Sequence, residues 1–112
     1  MSGVNLSRRL TLERAERVPD GAGGYTQTWV VLGTVWGDVQ ARTGRVATGE
    51  AGAVSVTGYR IAVRAAPLGH SNRPEPGQRF GLQGRQFRID AVTEDPKRNL
   101  YLICDCKEEV TP

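Results

Sequence analysis

Hydrophobic and polar residues alternate along much of this chain, in short runs separated by turn-forming residues. In "RRLTLERAERV", starting at Arg8, Leu10 and Leu12 alternate with Arg9, Thr11 and Glu13. That is the period of a half-buried strand. Leu6, Leu10 and Glu13 also have helical spacing, so a helix over residues 6–17 is the rival reading. The threonine and the short length favour a strand. "PDGAGGY" follows, with Pro19-Asp20-Gly21 as a turn and Gly23-Gly24 adding conformational freedom. "YTQTWVVLGTVWGDVQAR", from Tyr25, reads as one long strand or as two broken near Gly33. Val35, Gly37, Val39 and Ala41 share one face; Trp36, Asp38, Gln40 and Arg42 share the other.

The cleanest alternation is "YRIAVR", where Tyr59, Ile61 and Val63 oppose Arg60, Ala62 and Arg64. "PLGHSNRPEPGQ" is a loop by composition. Two short strands are predicted next, Arg79–Leu82 and Gln86–Val92, joined at Gln83-Gly84-Arg85. "LYLICDCKEE" closes the series with Leu100, Leu102, Cys104 and Cys106 on one face. About six strands at short intervals predict an all-β fold, a small closed or partly open barrel or a sandwich. The 112 residues make one domain, residues 1–112, with no repeat and no internal linker.

One stretch fits no strand. "RTGRVATGEAGAVSVTG", Arg42 to Gly58, holds four glycines and almost no large hydrophobe. A loop of this length between central strands of a compact domain is uncommon and usually functional. As a hairpin it would reach at most about 25–28 Å. A short helix from Thr48 to Ala53, capped by Thr48, is a second reading, and a plain surface loop a third.

Composition narrows the function classes. The net charge is +3, with thirteen arginines scattered among acidic residues. A sequence reader of DNA would gather them into a stripe with interleaved aromatics. An oligonucleotide-binding barrel would need stacking aromatics on a basic sheet face. The seven aromatics leave few for that after the core is filled. Trp29, in a well-alternating run, is expected in the core. Trp36, opposite Val35 and Val39, is a candidate for burial against another subunit, with Arg60 and Arg64 on a neighbouring strand. No apolar run approaches the roughly 20 residues of a membrane helix, and the first residues do not resemble a signal peptide. A cytoplasmic origin is expected, which suits two reduced thiols.

Little in the chain points to catalysis. The one histidine, His70, sits in a Pro/Gly loop without an obvious partner group. Cys104, Cys106 and His70 fall short of the four ligands of a closed zinc site. "GAGGY" lacks the lysine and hydroxyl residue of a phosphate loop. No catalytic residue, metal or cofactor is expected, and the two cysteines are read as buried thiols on one strand face.

The order of these pieces resembles the phage head–tail joining proteins, also called head-closure or stopper proteins. Asp20-Gly21 with Gly23-Gly24, Trp29, Val35-Trp36-Gly37-Asp38-Val39, Ile61-Ala62-Val63-Arg64, "QFRIDAV" and the strand ending at Cys104 carry the resemblance, over residues 6–107. The resemblance implies a small β-barrel that forms a ring of six or twelve copies in the neck of a tailed phage or gene transfer agent. It implies a portal or adaptor protein on the head side and a tail terminator on the other, with double-stranded DNA passing between. It also implies that Arg42–Gly58 is the loop that projects into the channel, bringing Arg42, Arg45, Thr48, Gly49, Glu50, Ala51, Gly52, Ala53 and Val54 toward the axis. The small residues of that loop suit packing against their own copies. Its few charges limit any grip on phosphates, since each such contact multiplies over the copies. An oligonucleotide-binding type of barrel is the alternative.

Overall fold

A computed structural model describes residues 4–45, 54–95 and 100–109. They form six strands: β1 (Arg8–Pro19), β2 (Tyr25–Arg45), β3 (Val54–Arg64), β4 (Arg79–Leu82), β5 (Arg85–Glu94) and β6 (Tyr101–Glu109). All pairings are antiparallel, in the order β1-β2-β3-β6-β5-β4. A short β1–β4 ladder, Thr11↔Gly81 to Glu13↔Arg79, brings the sheet round on itself into a small, partly closed barrel. The all-β expectation is met, and the helical reading of residues 6–17 gives way to β1.

The interior follows the alternation. Leu10, Leu12, Ile61, Val63, Phe80, Leu82, Phe87, Ile89, Leu102, Cys104 and Cys106 form one buried cluster. Burial of such side chains contributes about 1.5–3 kcal/mol each. Leu100 differs from its expectation: it precedes β6 and is exposed. The β4–β5 hairpin turns on Gln83 and Gly84 alone, at φ 50° and 82°. Two positive φ values define a type I′ turn, whose twist matches the flanking strands. At the β1–β2 turn, Asp20 Oδ1 accepts the Ala22 and Gly24 N–H groups at 2.8 and 3.1 Å.

β2 is the element that shapes the molecule. Its 21 residues form one strand rather than two. It pairs with β1 from Tyr25 to Gly37, then with β3 from Gly37 to Arg45. Near Gly33, where the two-strand reading has its break, the ladder shifts register instead, and Leu32 has no partner between Val31↔Glu13 and Gly33↔Leu12. A bulge of this kind bends a strand without ending it. Gly37, where β2 changes partner, needs its missing side chain: a Cβ there would lie 2.6 Å from Leu10 Cδ1 and 3.2 Å from the Ala62 carbonyl oxygen.

Two ribbons therefore leave the barrel. The β1–β2 ribbon runs beyond the last β1–β4 pair, Glu13↔Arg79. The β2–β3 ribbon runs beyond Tyr59↔Cys106, the last β3–β6 pair on that side. The radius of gyration is 16.2 Å. A compact domain of this length would measure about 13 Å.

Candidate functional site

The β2–β3 ribbon replaces much of the expected loop. Arg42, Thr43, Gly44 and Arg45 pair with Gly58, Val56, Ser55 and Val54. Arg42, Arg45 and Val54 are therefore strand residues, not loop residues. The β-branched content of "VSVT" outweighs the glycines once a partner strand lies alongside. Thr48, Gly49, Glu50, Ala51, Gly52 and Ala53, and with them the alternative helix, lie outside the described residues.

At the base of the ribbon, Arg42 Nη1 lies 3.2 Å from Asp105 Oδ1, across the intervening strand β3. The residue paired with Arg42 is Gly58, which puts no side chain in the way. The neighbouring rim carries a second polar cluster. Arg85 donates from Nε and Nη2 to the two carboxylate oxygens of Glu108, at 2.9 and 3.0 Å. Its Nη2 also reaches the Tyr59 hydroxyl at 3.1 Å. The hydrogen bond from Arg85 holds Glu108 below the usual carboxylate range. Tyr59 in turn meets Phe87 edge to face, ring centres 4.9 Å apart. The ribbon thus starts from a cross-braced rim.

Trp36, Arg60 and Arg64 all lie on the outer face of β2 and β3. Trp36 is 54% exposed. It pairs with Arg9 on β1, and Arg64 pairs with Tyr101 on β6. Trp36 and Arg64 meet across an open groove of about 390 Å³. Thr34 and Val35 of β2, Ala65, Ala66 and Pro67 after β3, and His70 and Asn72 of the following loop complete its walls with Leu6. Arg60 is further along the same face, opposite Gln40 and Asp105.

Trp29 is not a core residue. It is half-buried on the outer wall, with the Arg79 guanidinium 4.1 Å and the Arg88 guanidinium 5.0 Å from its ring centre. Arg79 Nε donates to Glu13 at 2.7 Å, and Arg88 Nη2 to Glu109 at 2.7 Å. The cluster ties β1, β2, β4, β5 and β6 together. The alternation around Trp29 is that of a strand, but two arginines on strands far along the chain supply its apolar and cationic cover. Nothing in the local sequence marks such a stack.

Both cysteines are free and buried. Burial pushes the Cys104 thiol up to about 12, and raises Cys106 further. His70 is exposed in its loop, where Nδ1 accepts the Asn72 N–H at 3.0 Å. Among the described residues no three His, Cys, Asp or Glu side chains group as a metal site.

The described residues thus form a small barrel drawn out into a long two-stranded ribbon. Compared with protein families, the chain matches the model of the phage head completion proteins over residues 1–109. The chain belongs to that family. Among solved structures it is similar to a chain in the virion of a native gene transfer agent particle. That chain is 42% identical, covers 99% of this chain and 100% of its own length, and superposes with a TM-score of 0.72. The solution structure of protein SF1141 from Shigella flexneri 2a shares the fold, at 23% identity, full coverage of both chains and a TM-score of 0.69. A search of curated proteins finds no match.

Proposed function

We propose that this chain is a head–tail connector of the stopper kind. It takes its place in the neck of a phage or phage-like particle, forms a ring there, and retains the packaged DNA until delivery. Membership of the head completion family supports the place in the particle. The observation that carries the gating role is the β2–β3 ribbon, paired only to itself beyond Tyr59 and so directed away from the barrel.

Heterologous contacts close a ring when their rotation closes. In this reading the face bearing Trp36, Arg60 and Arg64 is offered to an adjoining protein of the neck. The ribbon, with the residues from Arg42 to Gly58, points at the axis, where copies meet. Arg42 is drawn toward Asp105, which lowers the positive charge that passing DNA would meet at the base of the arm. A portal or adaptor protein would hold the head side of the ring and a tail terminator the other.

Deletion of Thr43–Thr57 tests the gate. The shortened protein is expected to fold, because no residue of the buried cluster is lost. Particles assembled with it are expected to lose their DNA. Particles that keep DNA at the level of the unaltered protein would remove the gate from the account.

A further inference from the structure

The two outer edges of the β1–β2 ribbon are built differently. The edge made by β1 beyond β4 reads "RAERVP", Arg14 to Pro19, with an Arg14–Glu16 ion pair at 3.0 Å and a terminal proline. Charges and proline are the usual guards against unwanted strand pairing. The opposite edge belongs to β2. From Tyr25 to Trp36 it has β1 on one side and no strand on the other, since β3 joins only at Gly37. This edge reads "YTQTWVVLGTVW", without one charge or proline. Val31 is 58% exposed and Trp36 54%. A long, uncharged, β-branched edge left open in this way is a template for another strand.

The surroundings say what kind of strand. The edge runs into the groove walled by Thr34, Val35 and Trp36, whose lining includes Arg64 and no carboxylate. Arg9 is the cross-strand neighbour of Trp36. Among the described residues neither Arg9 nor Arg64 has an ion-pair partner, whereas Arg73, Arg79, Arg85 and Arg88 each have one. Nucleic acid would satisfy the arginines but not the row of backbone N–H and C=O groups.

We propose that the free edge of β2, residues 26–36, accepts an added β-strand from a different protein. That strand is an extended segment whose carboxylates meet Arg9 and Arg64 while its apolar residues cover Trp36 and Val31. The inference rests on the neck reading only for where the partner is found. β-Strand addition supplies affinity through the main chain and specificity through alternate side chains. The two arginines select an acidic segment over others.

The test uses the full-length protein in assembled particles, with a benzophenone amino acid in place of Thr34. After irradiation, the cross-linked peptide is identified by mass spectrometry. The expected product is a peptide of another virion protein with an excess of Asp and Glu. Cross-link yield is expected to fall at least tenfold with Arg9→Glu/Arg64→Glu, and also with Val31→Lys, which guards the edge without touching the arginines. Arg17→Glu, on the guarded edge, is expected to leave it unchanged. The proposal is overturned by a product with another copy of this chain, a product with DNA, or no product in particles that contain the protein. Retention of DNA is read separately, so failure here leaves the gate standing.

Discussion

Cys104 and Cys106 point into the barrel from β6 and are buried there as free thiols. Their thiols stay protonated because a thiolate would lose its hydration there. The ordinary value of 9.0 rises to about 12 for Cys104, and Cys106 shifts the same way. The unfolded chain ionises its thiols first, so the folded state loses stability as pH rises above about 9 and regains nothing below it. Urea denaturation at pH 7 and pH 10 is expected to show a larger drop in midpoint for the unaltered protein than for Cys104→Val/Cys106→Val. Equal drops would mean that the thiols are hydrated. Both residues were legible as a buried pair, because a strand places alternate residues on one face and valine-sized groups on that face close a core. Trp29 was not legible in the same way. Its alternation fits a core position, yet its cover comes from Arg79 and Arg88, which the fold brings in from β4 and β5.

At the scale of elements, β2 decides the architecture. Sequence patterning marked its strand character and the turns on either side. It did not mark the change of partner at Gly37, because that depends on how closely Leu10 and Ala62 approach. Nor did it mark how far the strands continue past Arg42 and before Gly58. Small residues and glycines read as loop until a facing strand supplies the hydrogen bonds. The Trp29 cluster fastens the β1–β2 ribbon to the barrel wall, and its Glu13–Arg79 pair is only 14% and 18% exposed. Such a pair is weakly screened by salt. Trp29→Ala is expected to cost about 2 kcal/mol, from the lost stacking of two guanidinium groups and the packing around them. Chemical denaturation measures it. A change under about 0.5 kcal/mol, the usual range for surface substitutions, would mean that the ribbon is held by its ladder alone.

The whole molecule is a small barrel with its core packed to one purpose and two ribbons led away from it. The barrel encloses the buried cluster. The ribbons explain why the molecule is drawn out to 52 × 38 × 23 Å. One ribbon projects as an arm past the last β3–β6 pair, and the other carries a strand edge without charge or proline. Family membership places the protein with head completion, and the 42% identical chain comes from a gene transfer agent virion. The carboxylates of Glu13, Glu108 and Glu109 are paired with arginines that tie the strands of the barrel wall together.

The central claim is that a rigid barrel directs its β2–β3 arm at a channel axis. Imaging the neck of DNA-filled particles, at a resolution that traces this chain, tests it most directly. The account expects residues 42–58 of every copy to converge on the axis beside the end of the DNA. Arms lying along the outer wall, away from the channel, would contradict it.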